Sequence, residues 1–360
     1  MPPRTIAIFL PNPVGDVVMA TPALRALRAH FAGARITYVG RSAALAMMSG
    51  SPWADAVIAE GSTGRPKLSG LVRTIRAIRR GGFDLAVLLP NSLRAAVLAR
   101  LGGAARVAGY ARGGRGWLLS DGLKPLRRQE GGFLPVPTID YYLALARMLG
   151  AQAGSRTMEL PVGAADDAAA EKLLGEAGID RRRPVVMLNP GAAYGPSKLW
   201  PAERFAAVGD ALVERHGVQI IINAAPAERA LAAEVGAAMR HPPAISFADR
   251  DNSLGLLKGL IRRCRLLITT DTGARHVGAA LGIGVVSLFG STDSTWARID
   301  YGQERIVRVD VPCGPCQRKA CRLPPGPRFH QCMTALTVAM VLSAAEDLLR
   351  PAATGTGDAT

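Results

Sequence analysis

Aromatic side chains are scarce in this chain: eight Phe, six Tyr and four Trp make up 5% of its 360 residues. That shortage, set against an abundance of Ala, Gly, Leu and Val, argues against a β-sandwich and for helices packed on parallel sheets. Long apolar runs are also missing. The apolar stretch Ile6–Leu10 stops at Pro11-Asn12-Pro13 and so reads as a first strand, not as the core of a secretion signal. Nothing approaches the roughly 18–20 apolar residues that cross a bilayer. These absences lead to the expectation of a cytoplasmic protein, where five cysteines are free or metal-bound in preference to disulfide-bonded. Acidic residues are in deficit too, 28 against 44 Lys and Arg, giving a formal charge of +16. Three polyanionic partners compete to explain it: nucleic acid, an anionic membrane surface, or a substrate rich in phosphate and carboxylate. Against a specific partner, the cations are spread along the chain, as on a merely solvated surface, with local clusters at Arg127-Arg128, Arg181-Arg182-Arg183 and Arg262-Arg263.

The length suits two domains, and nearly half of the chain is apolar, enough for two cores. From Thr5 to Gly109 short apolar strands alternate with helical patterns, the first helix running from Val17 to His30. Between Ala111 and Val136 the alternation gives way to Gly, Arg and Pro, which reads as a mobile basic loop, before a helix over Thr138–Leu149. A polar stretch around Gly150–Asp167 marks the expected boundary, and Val185–Phe289 repeats the strand-and-helix grammar. Two parallel, doubly wound α/β halves follow from this alternation.

Three loops carry chemistry. Asn189–Pro201, with Gly191, Ala192 and Lys198, follows a strand and opens a helix, where α/β proteins receive phosphate on backbone N–H groups. Thr269–His276 occupies the same kind of position, with Asp271 or Thr272 able to cap the helix and His276 on its first turns. Two anion-ready loops in one half suggest a diphosphate site between them, although each alone also reads as an ordinary turn or a capped helix. Gly15-Asp16 follows the first strand: either a favourable charge on a helix dipole or a carboxylate that removes a proton from an acceptor hydroxyl.

With Leu89–Arg94 and Leu288–Asp293 these segments occur in the order found in glycosyltransferase family 9, the lipopolysaccharide heptosyltransferases, and the chain most resembles the heptosyltransferase II branch. The resemblance implies a GT-B architecture, two Rossmann-like domains facing each other across a cleft. The N-terminal domain, 1–160, would bind the acceptor. The C-terminal domain, 161–335, would bind the nucleotide sugar and carry a Cys-rich loop, 312–333, and a terminal helix and disordered tail would occupy 336–360. It implies an inverting enzyme that moves heptose from ADP-heptose to the heptosyl-Kdo–lipid A core without a catalytic metal. Asp16 matches the proposed general base. Gly191, Ala192, Lys198, Glu228, Asp271, Thr272, Gly273 and His276 match the donor side, while Asn91, Arg94, Arg112 and Arg115 are the acceptor-side candidates. Asn223-Ala224-Ala225 departs from the family, which commonly has a glycine there.

Cys313, Cys316, Cys321 and Cys332 form a Cys-x2-Cys-x4-Cys-x10-Cys series, a spacing that suits a structural Zn or Fe ion or, failing that, free thiols; Cys264 reads as a packing residue. A nucleic-acid binder would explain the charge, but aromatics are not interleaved with the cations and no binding motif is present, so no nucleic-acid partner is expected. Heptosyltransferase I, another sugar transferase of the family, and a GT-B sugar-nucleotide epimerase are the alternatives. An acceptor on an anionic lipid would place the enzyme in peripheral contact with the cytoplasmic face of the inner membrane.

Overall fold

The computed structural model describes residues 1–61, 68–129 and 131–350. Two compact units divide the chain: Met1–Asp167 with Ser294–Asp300, and Ala168–Asp293 with Tyr301 onward. The segment Ser294–Asp300 thus belongs with the first unit although it lies late in the sequence. The residues expected to form a disordered tail, 351–360, lie outside the described residues.

In the first unit β1 (Thr5–Phe9), β2 (Arg35–Gly40), β3 (Ala56–Ala59), β4 (Leu85–Leu88), β5 (Arg106–Tyr110) and β6 (Asp121–Leu123) form one all-parallel sheet in the order 3-2-1-4-5-6. β1 and β4 are fully or nearly fully apolar because helices cover both sheet faces. On one face lie α1 (Val14–Met19), α2 (Thr21–His30), α3 (Ser42–Met47) and α6 (Thr138–Met148). On the other, α4 (Leu68–Gly81) and α5 (Leu93–Leu101) bury Ile78, Ala95 and Leu98 against Phe9, Leu88 and Val107. Each large side chain so buried contributes about 1.5–3 kcal/mol.

Two local expectations change. The single helix read over Val17–His30 is two, α1 and α2 meeting at Ala20, because Pro22 has no N–H for an interior helical bond and fits only a first turn. The segment read as a mobile loop, 111–136, contains β6 and a 3-10 turn at Gly116–Leu118, fastened by Arg115.

The second unit repeats the arrangement. β7 (Val185–Asn189), β8 (Gln219–Ile222), β9 (Ile245–Ser246), β10 (Leu266–Thr270), β11 (Gly284–Phe289) and β12 (Glu304–Arg308) pair in parallel in the order 12-11-10-7-8-9. Read from its first strand outward this is again 3-2-1-4-5-6. Around it pack α8 (Ala202–His216), α9 (Arg229–Ala238), α10 (Leu254–Ile261), α11 (Gly273–Ala280) and α13 (Val338–Leu349), with α7 (Ala164–Glu176) at the junction and the single turn α12 (Gln331–Thr334) before α13. In a sheet of this order the strand direction of winding reverses between the first and fourth strands, and ligands bind beyond the strand ends there. Those points are β1/β4 and β7/β10. Among the described residues, no helix is long and apolar enough to cross a membrane.

Candidate functional site

Both winding reversals carry the chemistry-bearing loops. In the second unit the loops after β7 and β10 meet. Lys198 is buried and its Nζ donates to the Asp271 carboxylate at 2.5 Å and to the Asp271 carbonyl at 2.8 Å, while facing the Tyr194 ring at 4.8 Å. Burial pushes the Asp271 carboxyl up, but Lys198, Arg275 and the Thr292 hydroxyl, which donates at 2.8 Å, together hold it below the usual carboxylate range. Lys198 is therefore one half of a buried ion pair.

Thr272 stands at the N-cap of α11 but its side chain caps nothing. Its hydroxyl instead accepts from Asn189 Nδ2 at 3.3 Å and lies 3.1 Å from the Thr269 hydroxyl. Asp271, spent on Lys198 and Thr292, does not cap the helix either. The first N–H groups of α11, starting at Gly273, thus keep their positive dipole end without a side-chain partner. His276, three residues further along that helix, is buried. Burial and the neighbouring Arg275 lower its pKa to about 3, and its Nδ1 has no partner among the described residues. The neutral ring can still donate one hydrogen bond. Arg275 itself is fully buried, with Nε 2.5 Å from the Glu304 carboxylate.

Two further donor-side candidates touch. The Glu228 carboxylate lies against Gly191, so closely that a Cβ there would fall 2.1 Å from Oε2, and the Gly191 carbonyl accepts from the Thr270 hydroxyl at 2.7 Å. Ala192, half-buried, follows in the same loop. Residues that sequence reasoning missed complete the floor: Asn189 donates to Thr269 at 2.9 Å, Asn223 to Asn189 at 2.6 Å and Asn252 to Asn223 at 2.5 Å. The asparagine that departs from the family pattern is thus the middle link of a side-chain relay along the strand ends. Its only sequence signal was a polar residue closing each of two apolar strands.

The Lys198 loop is also tied to the Cys-rich segment. Ser197 N–H donates to the Lys319 carbonyl at 3.0 Å, its hydroxyl pairs with Ser291 at 2.9 Å, and the Tyr194 hydroxyl donates to the Gln317 carbonyl at 2.7 Å. Cys313, Cys316, Cys321 and Cys332 line one small cavity there with His330, and all are free thiols. The metal expected from their spacing does not fit this arrangement. Among the described residues no group of three or more Cys, His, Asp or Glu could hold an ion. Burial and the other three cysteines push the Cys332 thiol up to about 11. Cys264 is buried, as expected of a packing residue.

In the first unit Asp16 sits in the first turn of α1, at the end of β1. Its carboxyl is half-buried and burial raises its pKa to about 6. Asn91 is exposed beyond β4; its Oδ1 accepts from the Tyr141 hydroxyl at 3.0 Å and from Arg115 at 3.3 Å. Ser92 caps α5, accepting from the Ala95 N–H at 3.2 Å. Arg112 lies over the Phe133 ring at 3.8 Å beside a cavity of about 240 Å³ lined by Tyr110, Lys124, Tyr141 and Trp296. Arg94 is apart from these, 3.3 Å from Glu60. The acceptor-side expectation for Arg115 needs correction. This guanidinium is fully buried and donates to the carbonyls of Tyr110, Pro90 and Ser92, so its hydrogen bonds are spent on shaping the loop. The ring cluster at Tyr110 and Tyr141, stacked at 3.6 Å, was not foreseen.

A model of glycosyltransferase family 9 (heptosyltransferase) matches residues 71–326. The chain is 24% identical over 354 residues to the lipooligosaccharide heptosyltransferase 2 of Campylobacter jejuni, covering 96% of this chain and 98% of that one. The crystal structure of a glycosyl transferase family 9 protein from Veillonella parvula superposes with a TM-score of 0.80 at 23% identity, over 96% of this chain and 97% of that one. The E. coli ADP-heptose lps heptosyltransferase II structure follows at 0.76 and 23%, over 96% and 98%. The fold is that of the GT-B heptosyltransferases, and the chain belongs to glycosyltransferase family 9, the heptosyltransferases.

Proposed function

We propose that this glycosyltransferase moves heptose from ADP-heptose to the heptosyl-Kdo–lipid A inner core of lipopolysaccharide, inverting the anomeric centre. The observation that carries the reading is the donor constellation of the second unit, in which Lys198, paired with Asp271, stands beside the uncapped N-terminus of α11 at the β7/β10 reversal. The first unit, with Asp16 and the Arg112 cavity, is assigned to the acceptor, and the second to the nucleotide sugar. The names of the relatives, one of which carries ADP-heptose in its description, support the sugar and the nucleotide.

In the proposed step the acceptor hydroxyl oxygen attacks the anomeric carbon from the face opposite the diphosphate. The new C–O bond forms as the bond to the phosphate oxygen breaks, the hydroxyl proton passes to Asp16, and ADP leaves with the bonding pair. A base titrating near 6 is ionised at neutral pH yet retains enough basicity to accept that proton. The α11 N–H groups, Lys198 and the neutral His276 ring meet the charge that develops on the leaving diphosphate. Those groups can do the work that a divalent ion does elsewhere, so turnover should persist in excess chelator. Glu228, set against Gly191, is assigned to the nucleoside.

The test offers ADP-heptose with core acceptors carrying zero or one heptose, and reads the product and its anomeric configuration. Transfer only to the one-heptose acceptor, with inversion, is expected. Preference for the acceptor without heptose would move the assignment to heptosyltransferase I, and turnover of other nucleotide sugars alone would end it. Peripheral contact with the inner membrane belongs to the same proposal, since the acceptor is a membrane lipid.

A further inference from the structure

One layer of the first unit is built unlike a solvated protein surface. α4, α5 and the 3-10 turn Gly116–Leu118 lie side by side on one face of the sheet, joined by Arg79 Nη2 donating to the Leu101 carbonyl at 2.9 Å and Arg100 Nε to the Leu118 carbonyl at 2.7 Å. The inner sides of both helices are buried in the core. On the outer side large apolar groups stand in water: Trp117 is 79% exposed, Leu68 75%, and Leu93, Leu101 and Val72 are exposed as well.

The charge on the same layer is of one sign. The three segments contain six arginines and no acidic residue. Arg73, Arg76 and Arg80 follow one another at spacings of three and four along the exposed stripe of α4 that also holds Leu68 and Val72. All three are exposed, and among the described residues none has a hydrogen-bond or ion-pair partner. The nearby carboxylates are already engaged: Glu60 by Arg94, Asp84 by Arg4 and Thr5, and Asp121 by Arg106.

Cations interleaved with an exposed Trp and Leu side chains match the boundary of an anionic bilayer, where phosphates lie above acyl chains. A soluble anion would leave the apolar groups in water, and a neutral apolar partner would leave the arginines unpaired. From this charge complementarity we infer that the α4–α5–Gly116–Leu118 layer docks on an anionic phospholipid bilayer. Arg73, Arg76 and Arg80 meet headgroup phosphates, and Trp117 enters the interface. The inference rests on the proposed lipid acceptor only for why the enzyme should meet a membrane; the surface itself is read from its residues.

The experiment sediments the full chain with vesicles of phosphatidylcholine alone or mixed with phosphatidylglycerol. Binding to the mixed vesicles only, weakened by salt, is expected. With about fivefold per arginine at the surface, R73Q/R76Q/R80Q should bind about a hundredfold less well. R181Q/R182Q, on exposed arginines of the second unit, should bind as the parent does. Independently, Trp117→Phe should remove most of a vesicle-induced blue shift of fluorescence, because Trp53 and Trp200 are buried and Trp296 is half-buried, which leaves Trp117 as the exposed tryptophan. Unchanged vesicle binding by the triple variant, or retention of duplex DNA or acidic protein on this face without vesicle binding, would overturn the inference. A soluble acceptor stripped of acyl chains separates the two readings. Transfer to it by R73Q/R76Q/R80Q at the parent rate is expected, whereas loss equal to that on membrane-borne acceptor would mean the arginines serve catalysis and not docking. Vesicle binding without any heptose transfer would leave docking standing and remove the proposed function.

Discussion

The Asp16 carboxyl titrates near 6 because burial in the first turn of α1 disfavours its charge, and no cation offsets that burial. If it is the base, kcat/KM should fall about tenfold per pH unit below 6, and a flat profile between pH 5 and 7 would remove it from that role. The same shift acts on stability. The folded form binds the proton more tightly than the unfolded one, so stability falls as pH rises from the unfolded value of 3.8 through about 6 and is level above that. Asp16→Asn removes the buried charge. It should raise stability at neutral pH by about 1–2 kcal/mol, allowing for solvent screening, while lowering turnover by roughly 10²–10⁴-fold. Thermal melts beside initial rates read both. At Gly191 the constraint is steric. A methyl there displaces only the flexible end of Glu228, so Gly191→Ala should melt within a few degrees of the parent yet bind ADP-heptose several-fold more weakly, measured by calorimetry.

Loops after β7 and β10 act together because Lys198 and Asp271 neutralise each other in a buried place. Lys198→Met leaves the buried Asp271 carboxylate without its paired cation and should cost about 3–5 kcal/mol. Adding Asp271→Asn should restore most of that stability but not the activity, a separation that denaturant titration and rate measurement show directly. The turn before Lys198 depends on Gly195, whose φ of +151° and approach to the Lys319 carbonyl leave no room for a side chain: a Cβ would stand 2.4 Å from that oxygen. Here the obstacle is backbone. Gly195→Ala should therefore cost about 1–3 kcal/mol and raise the donor KM, in contrast to Gly191→Ala.

For the molecule as a whole the excess of positive charge acts mainly outside the donor site. Lys198 and Asp271 are buried and screened little by salt, whereas the arginines of the first unit face water. Raising ionic strength should increase the KM for a charged lipid acceptor while leaving the Kd for ADP-heptose nearly unchanged. Parallel loss of both would locate the charge effect in the donor site instead.

Local pattern was enough to read strand and helix order, the two α/β halves and the loops with chemistry, because strand periodicity, glycine and helix-opening residues are short-range properties. It was not enough wherever a side chain's state depends on distant neighbours. Arg115 and Arg112 are three residues apart in one basic loop, yet one is consumed by the carbonyls of Pro90, Ser92 and Tyr110 and the other lies against Phe133 at a cavity. The Asn189–Asn223–Asn252 relay joins three separate strand-and-loop units, and β6 forms because a glycine-rich loop finds the open edge of β5. Four cysteines spaced for a metal came together around a cavity without forming an ion site. Composition and spacing determined which kinds of group are present and in what order. Burial, pairing and protonation, which turn Lys198 into half of an ion pair and His276 into a neutral donor, were decided only by packing, because desolvation and partner distance are properties of the folded chain.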